Sequence, residues 1–217
     1  MRTRAGDRPA QAWHVLTIAV AVASIGTELV MVANGHNPLL ADDTPPASTR
    51  VIRFFSYFTI QSNLLVAITS AMLAVRPRRD GTPFRVLRLD ALFGITVTLV
   101  VYSVLLAPQH DPDGINAWTN AGLHYITPAL AILGWVAFGP RPRIDENTLL
   151  RALIWPVLYV AYTIWHGEVS DWYPYPFINV AHLGYATTVR NGLGMVVLMA
   201  GVGALYRIGD HRLARTF

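Results

Sequence analysis

The chain has 217 residues, of which 53% are hydrophobic and only 14% are charged. Soluble domains carry roughly 25% charged residues, so this composition is typical of a membrane protein. The formal net charge is +4, but the basic residues are scattered over short loops. That distribution argues against a nucleic-acid partner and favours attraction to anionic membrane lipid. The chain contains no cysteine, which excludes disulfides, a thiolate nucleophile and a cysteine-based metal site.

Six stretches of the sequence are each apolar over roughly the 20 residues that a helix needs to cross a bilayer core. In chain order they are Trp13–Ala33, Phe54–Val75, Val86–Ala107, Ala121–Phe138, Leu149–Trp165 and Tyr185–Tyr206. The first begins too late and runs too long for a cleaved signal peptide. The sequence therefore predicts an all-α integral membrane protein, a single domain over 1–217 with six transmembrane helices in one bundle.

Arginine alone indicates the orientation of these spans, because the chain has no lysine. Fourteen of the 17 basic residues lie on one side: Arg2, Arg4, Arg8, Arg76, Arg78, Arg79, Arg85, Arg88, Arg141, Arg143, Arg151, Arg207, Arg212 and Arg215. The other side has three arginines and six carboxylates: Arg50, Arg53, Arg190, Asp42, Asp43, Asp111, Asp113, Glu168 and Asp171. By the positive-inside rule we expect both termini in the cytoplasm.

Several polar residues fall inside these apolar stretches, all near their outer ends. Thr59 is about 12 Å along its helix when depth is counted from Val51 at 1.5 Å per residue. The others are Ser56, Asn63, His124, Glu28 and Arg190. Polar groups at such depth are costly and usually functional. We expect them to line a cavity in the outer half of the bundle, with no comparable collection in the cytoplasmic half.

Proline lies close to one of these residues in the fourth span. Pro128 cannot donate the helical hydrogen bond to the carbonyl of His124, four residues earlier. We therefore expect a kink there that leaves the His124 carbonyl available to water, substrate or a neighbouring helix.

Each of these residues also has an ordinary structural interpretation. Thr59 has the usual option of a hydrogen bond to the carbonyl of Phe55 in the preceding turn. Gln61 and Asn63 have the option of joining helices through interhelical hydrogen bonds. A histidine such as His124 is rarer within a span, and its sequence context leaves structure and function equally open.

Two charged residues have alternatives of the same kind. Glu28 and Arg190 are candidates for a buried ion pair that only fixes packing. Equally, the planar guanidinium of Arg190 is suited to holding a substrate carboxylate.

An aromatic run, Trp172–Phe177, precedes the last span. It is typical of an interfacial aromatic belt, and a lid over the mouth of the cavity is the functional alternative. His166, Glu168 and His182 have metal-ligating side chains, but they lack a tight helical pair such as H-E-x-x-H, so we predict no metal site.

The chain has no G-x-S-x-G elbow, P-loop or dinucleotide glycine fingerprint. Three other features carry a resemblance to a known family: the segment Tyr57–Asn63, the pair His124 and Tyr125 followed by Pro128, and the aromatic run Trp172–Phe177. Together with six spans, they resemble bacterial relatives of the androgen-induced protein family, which includes the androgen-dependent TFPI-regulating protein. The resemblance covers essentially the whole chain.

This resemblance implies a multi-pass threonine hydrolase that cleaves fatty acid esters of hydroxy fatty acids. The roles of nucleophile and general base fall on Thr59 and His124. It implies lipid or fatty-acyl esters as substrates. From the arginine distribution and the depth of the polar residues, we expect a protein of the bacterial plasma membrane with its active-site cavity toward the extracytoplasmic side. No cofactor is required.

The chemistry of the remaining side chains assigns further candidate roles. Asn63 and Gln61 are candidate oxyanion donors. The candidates for binding the substrate carboxylate are Arg190 and Arg53. Glu28 is a candidate for orienting His124, and we include Tyr125 among the substrate-binding candidates.

Two other functions remain open. A non-catalytic lipid- or amphiphile-binding or transport protein predicts the same cavity, but with Thr59 and His124 too far apart to share a proton. A metal-dependent membrane hydrolase predicts a metal ion at His124 or at the group formed by His166, Glu168 and His182.

Overall fold

A computed structural model describes residues 7–36, 45–109 and 111–214, and this part of the chain contains helices and no strand. Six segments are long and apolar enough to cross a membrane: Arg8–Ala33, Phe58–Val75, Thr82–Leu106, Gly114–Phe138, Glu146–Ser170 and Val180–Leu213. We call them spans one to six. Each overlaps its predicted stretch, so the prediction of six apolar helices is confirmed. Five residues used to predict the orientation lie outside the described residues: Arg2, Arg4, Asp42, Asp43 and Arg215.

Spans three, four and five are each built from more than one helical piece. The α-helices among the described residues are α1 (Arg8–Ala33), α2 (Ala47–Ser56), α3 (Phe58–Val75), α4 (Thr82–Val101), α5 (Gly114–Ala121), α6 (Thr127–Phe138), α7 (Glu146–Ala152), α8 (Ile154–Ser170) and α9 (Val180–Leu213). A π-helical turn, Tyr102–Leu106, continues α4, and a second, Gly122–Ile126, joins α5 to α6. Two short 3-10 turns, Ala107–Gln109 and Pro176–Ile178, complete the helical structure.

Spans two and three form the centre of the bundle. Helix α3 packs against both α1 and α4, and 56% of the most apolar window of span three is buried, the largest share of any span. Phe93 is fully buried on α4, in a cluster that includes Leu89, Leu92 and Met199. The N-terminal part of α3 lies beside the π-helical turn of span four, and the candidate site is there.

Span six is interrupted close to its start. The backbone at Gly184 has φ +72° and ψ 162°, so the turn before it is not continuous with the rest of α9. A positive φ of this kind strongly favours glycine. The predicted start of the span at Tyr185 therefore falls directly after the interruption.

The half of the bundle predicted to be cytoplasmic also contains buried polar residues, so the expectation that it has no such collection is wrong. His14, Arg88, Asp90 and Asp210 are each no more than 7% exposed. The predicted spans Trp13–Ala33 and Val86–Ala107 already contained His14, Arg88 and Asp90, and these side chains face the interior of the bundle. Asp210 joins them because α9 continues beyond Tyr206 to Leu213.

Partial hydrogen bonding accommodates these buried groups. Arg88 donates from Nη1 to the hydroxyl of Thr69 at 3.3 Å. Asp210, near the end of α9, accepts from the backbone N–H groups of Arg143 and Ile144 at 2.5 and 2.9 Å. The two hydrogen bonds to Asp210 hold the loop between spans four and five against the last helix.

The loop between spans two and three is held by an ionic network. Asp80 accepts from Nε and Nη2 of Arg85 at 2.6 and 2.9 Å, and Arg143 lies 3.2 Å away. The hydrogen bond from Arg85 is the main reason that the pKa of Asp80 lies well below its usual value. Because the Asp80 side chain is 39% exposed, this network orders the loop more than it stabilises the fold.

Candidate active site

Thr59 is the second residue of α3, because the chain leaves helical geometry just before it. The backbone of Tyr57 is extended, with φ −71° and ψ 131°, and this separates α2 from α3. The prediction of one continuous span from Phe54 is therefore wrong in its first turn. Thr59 therefore lies in the first turn of a helix and not in the middle of one.

Aromatic side chains stabilise this break in the backbone. A buried interruption leaves carbonyl and N–H groups without helical partners, and these groups need others. The hydroxyl of Tyr159 donates to the carbonyl of Ser56 at 3.0 Å. The ring of Tyr57 packs edge-on against Trp172 and Tyr175, with centroids 5.5 and 5.7 Å apart.

The hydroxyl of Thr59 faces the imidazole of His124 across spans two and four. Thr59 Oγ1 lies 3.4 Å from His124 Nε2. The other ring nitrogen, Nδ1, lies 3.1 Å from the carbonyl of Asn120. A carbonyl can only accept, so Nδ1 carries the proton and Nε2 presents its lone pair to Thr59. Separations somewhat longer than an ideal hydrogen bond are common in catalytic pairs without substrate.

The ring of Tyr102 fixes the orientation of His124 from a third span. The two rings are stacked with centroids 3.8 Å apart and an angle of 20° between their planes. The hydroxyl of Tyr102 also interacts with the side chain of Asn120. The sequence alone does not single out Tyr102, because a tyrosine near the end of an apolar stretch has the pattern of an interfacial anchor.

His124 lies in a π-helical turn directly before Pro128. The sequence predicted that Pro128 would free the His124 carbonyl. The carbonyl that takes a side-chain partner is instead that of Leu123, five residues before Pro128, which accepts from Asn63 at 3.1 Å. The physical reason is the wider π-helical turn, Gly122–Ile126, in which hydrogen bonds run from residue i to residue i−5.

Asn63 connects spans two and four, and it is not placed to donate to an oxyanion. Its Nδ2 group donates to the carbonyl of Thr59 at 2.8 Å and to that of Leu123 at 3.1 Å. Both of its donor hydrogens are used in this way, and the side chain is fully buried. The structural interpretation of Asn63 therefore fits better than the predicted oxyanion role.

Gln61 points away from Thr59. Its Nε2 group donates to the carbonyl of Phe55 at 3.1 Å, and its Oε1 atom accepts from Trp155 at 3.4 Å. This corrects two predictions. Gln61 does not face the candidate oxyanion position, and the Phe55 carbonyl takes Gln61 rather than the hydroxyl of Thr59.

Glu28 lies beside the site and accepts a hydrogen bond from the hydroxyl of Thr119 at 2.6 Å. It was a candidate for orienting His124. The backbone carbonyl of Asn120 orients His124 instead, through its hydrogen bond with Nδ1 of the imidazole. Glu28 does line the cavity that contains His124, as predicted for a substrate-binding residue.

Arg190 and Arg53 were predicted to bind a carboxylate, but they do not line the cavity that contains His124. Arg50 does. Arg190 is exposed and makes no ion pair with any described residue, so the predicted pair with Glu28 is absent there. Arg53 lies over the ring of Trp172 at 5.2 Å. Arg50 lines the cavity and donates from Nε to the carbonyl of Val32 at 2.8 Å.

Tyr125 is 39% exposed and contacts Tyr102 edge-on at 5.7 Å. It supports the residue that stacks on His124, and it does not line a cavity beside Thr59. The predicted substrate-binding role of Tyr125 is therefore not supported by its position.

Two cavities meet at Thr59. The first, which we call the apolar cavity, lies among spans two, three, five and six and encloses about 560 Å³ including its opening. The second, which we call the charged cavity, contains Glu28, Arg50 and His124 on its walls and encloses about 980 Å³ including its opening. The residues common to both are Thr59, Tyr102, Leu106 and Tyr175.

The aromatic run before the last span forms part of the walls of both cavities. Pro174 and Tyr175 are buried, and Pro176 lines the charged cavity. Tyr175 and Phe177 stack with centroids 5.1 Å apart and both line the apolar cavity. This position corresponds more closely to the predicted lid than to a belt of exposed interfacial rings.

The metal-ligating side chains near the end of α8 have other contacts. His166 lies 3.3 Å from the hydroxyl of Ser170, and Glu168 accepts from the hydroxyl of Tyr173 at 3.0 Å. Among the residues that the structure describes, no three His, Asp or Glu side chains come together. The group formed by His166, Glu168 and His182 is thus not assembled as a ligand set.

No protein-family model matches the chain, and no curated protein or solved structure matches it significantly. What the site can do therefore follows from its own residues.

Proposed function

We propose that the protein is a membrane-embedded lipid-ester hydrolase in which Thr59 is the nucleophile and His124 the general base. The observation that carries this proposal is the 3.4 Å separation of Thr59 Oγ1 and His124 Nε2, with Nδ1 held by the Asn120 carbonyl. A threonine hydroxyl is a weak nucleophile until an adjacent base takes its proton. A nucleophile, a base and a group that orients the base are the three parts that such chemistry needs.

The reaction has two steps. His124 Nε2 takes the proton of Thr59 as Oγ1 bonds to the ester carbonyl carbon, and the carbonyl π electrons move onto its oxygen. The tetrahedral species collapses, the ester C–O bond breaks, and the leaving alcohol takes the proton from His124. Water then attacks the acyl-threonine, with His124 as base again, and releases the carboxylic acid and the Thr59 hydroxyl.

The two cavities support a substrate with two arms joined at an ester. The apolar cavity is suited to a hydrocarbon chain, since its walls are almost entirely apolar. The charged cavity accommodates the second arm beside Glu28 and Arg50. Long-chain esters such as fatty acid esters of hydroxy fatty acids have this form, and they are the substrates implied by the resemblance to the androgen-induced protein family.

The proposed location is the bacterial cytoplasmic membrane, with both termini inside and the cavities toward the outside. Its support is the arginine distribution together with six helices long and apolar enough to span.

Variants at the two reacting residues test the proposal. We expect Thr59→Ala and His124→Ala each to lower the hydrolysis of p-nitrophenyl laurate by the purified protein by at least about 10²-fold. A fluorophosphonate probe should label the wild type at Thr59, as mapped by mass spectrometry.

Thr17→Ala and His182→Ala are matched controls. Thr17 is a buried threonine that bonds the Trp13 carbonyl, and His182 is exposed, so neither substitution should change activity. Full activity in Thr59→Ala or in His124→Ala would contradict the proposed mechanism. A wild-type protein that binds lipid but cleaves no ester would indicate the binding or transport function instead.

A further inference from the structure

The proposed hydrolase needs a donor for the negative charge that forms on the ester carbonyl oxygen, and the two side chains predicted for this role are occupied elsewhere. Gln61 donates to Phe55, and Asn63 donates to Thr59 and Leu123. The oxyanion oxygen is bonded to the carbon that Thr59 Oγ1 attacks. Its donors must therefore lie close to Thr59 itself, about 3 Å from that oxygen.

The groups that meet this requirement are at the start of α3. The extended backbone at Tyr57 makes Phe58 and Thr59 the first residues of the helix, so their N–H groups have no acceptor within it. The N–H groups of Ile60 and Gln61, by contrast, both donate to the Tyr57 carbonyl. The backbone N–H of the nucleophile thus has no acceptor within its own helix and donates instead to the hydroxyl of Tyr175.

The hydroxyl of Tyr175 lies at the same position. Its oxygen accepts from the backbone N–H of Thr59 at 3.4 Å, and it interacts with the Thr59 side chain, with Phe58 and with Tyr159. Tyr175 is only 9% exposed, and it is one of the four residues that line both cavities. Burial raises the pKa of this phenol, so it keeps its proton and remains a donor.

From this geometry we infer that Tyr175 is a catalytic residue whose O–H donates to the oxyanion of the tetrahedral intermediate. The same oxyanion takes the place of the Tyr175 oxygen as acceptor of the backbone N–H of Thr59. This inference rests on the proposed function. No proton is transferred from Tyr175: its O–H donates to the carbonyl oxygen, and the bond strengthens as negative charge develops. The positive end of the α3 dipole acts in the same direction.

The variant Tyr175→Phe tests the inference, since it removes only the hydroxyl. We expect kcat for p-nitrophenyl laurate to fall by about 10²-fold, the usual effect of one lost oxyanion donor, with KM little changed. Tyr206→Phe is the matched control: Tyr206 is buried to a similar extent, and its hydroxyl bonds that of Thr96 at 2.7 Å, away from both cavities.

Inhibitor binding separates an oxyanion donor from a residue that only shapes the cavity. The Thr59 hydroxyl adds to the carbonyl carbon of a dodecyl trifluoromethyl ketone, and the hemiketal that forms places an oxyanion in the site. The matching methyl ketone does not form this adduct and stays uncharged. Tyr175→Phe should weaken binding of the trifluoromethyl ketone by a factor close to its loss in kcat and leave methyl ketone binding unchanged. Equal weakening of both ketones, or wild-type kcat, would overturn the inference.

The failure of this inference is distinguishable from that of the proposed function. If Thr59→Ala is inactive while Tyr175→Phe hydrolyses as fast as the wild type, only the role of Tyr175 is wrong. If Thr59→Ala keeps its activity and its preference for the trifluoromethyl ketone, the assignment of Thr59 as nucleophile is wrong. The assignment of Tyr175 as oxyanion donor is then wrong as well.

Discussion

Hydrogen bonding around a few side chains sets the spacing of Thr59 and His124. The amide of Asn63 donates to the carbonyl of Thr59 and to that of Leu123, which directly precedes His124. One side chain is therefore bonded to the nucleophile's own residue and to the neighbour of the base. We interpret Asn63 as a positioning residue, a role that differs from the oxyanion donor predicted from its sequence position.

Replacing Asn63 should damage both stability and activity. Asn63→Ala removes two hydrogen bonds worth about 1 kcal/mol each and leaves the Leu123 carbonyl without its side-chain partner. We expect the Tm of the purified protein to fall by roughly 5 °C and kcat to fall with it.

Ser70→Ala is the control on the same helix. Ser70 is equally buried, but its hydroxyl has no hydrogen-bond partner among the described residues, so its loss should leave Tm unchanged. If Asn63→Ala and Ser70→Ala melt at the same temperature, the two hydrogen bonds of Asn63 do not contribute to the stability of the fold.

At the scale of whole elements, the hydropathy pattern predicted the number and order of the spans but not their interruptions. A window of apolar residues is equally apolar whether the backbone is α-helical, π-helical or extended. The break at Tyr57 depends on Tyr159, Trp172 and Tyr175, which are distant in sequence. The proximity of Thr59 and His124 was predictable in outline, because both lie near the same ends of their spans. The partners of Gln61 and Asn63 and the exposure of Arg190 were not, because they depend on the rotation of each helix.

Close packing of spans one and four provides a test at this scale. A Cβ atom added to Gly122 would lie 2.0 Å from Oγ and 2.9 Å from Cβ of Ser24. Gly122→Ala should therefore push span four away from α1, cost about 1–3 kcal/mol and displace His124, two residues on. We expect a lower Tm and slower ester hydrolysis.

Gly26→Ala is the matched substitution on α1, where an added Cβ meets nothing within 4 Å. It should be neutral or stabilising, since alanine favours a helix over glycine by about 0.5–1 kcal/mol. Wild-type stability and activity in Gly122→Ala would mean that span four can move away from α1 at this point without a cost in free energy.

At the scale of the whole molecule, the arginine distribution divides the bundle into two differently charged ends. The candidate site lies at the arginine-poor end, with the carboxylates Asp111 and Asp113 before α5 and Glu168 near the end of α8. The buried residues Arg88, Asp90 and Asp210 lie toward the arginine-rich end. The orientation proposed here therefore exposes the site to lipids that arrive from outside the cell.

Cysteine labelling tests that orientation directly, because the chain has no cysteine of its own. Asp113 and Glu146 are both exposed acidic residues at helix starts, on opposite sides of span four. In intact cells, a membrane-impermeant maleimide should label Asp113→Cys and should label Glu146→Cys only after permeabilisation. The reverse pattern would place the site on the cytoplasmic side.

The wall that the two cavities share has a consequence for the order of events during turnover. Thr59 separates the apolar cavity from the charged cavity. In the proposed reaction, an acyl chain that remains bound to Thr59 fills the apolar side. The water of the second step then reaches Thr59 through the charged cavity, after the alcohol has left it. Departure of the first product would thus gate deacylation, and any other hydroxyl compound entering that cavity would compete with water for the acyl group.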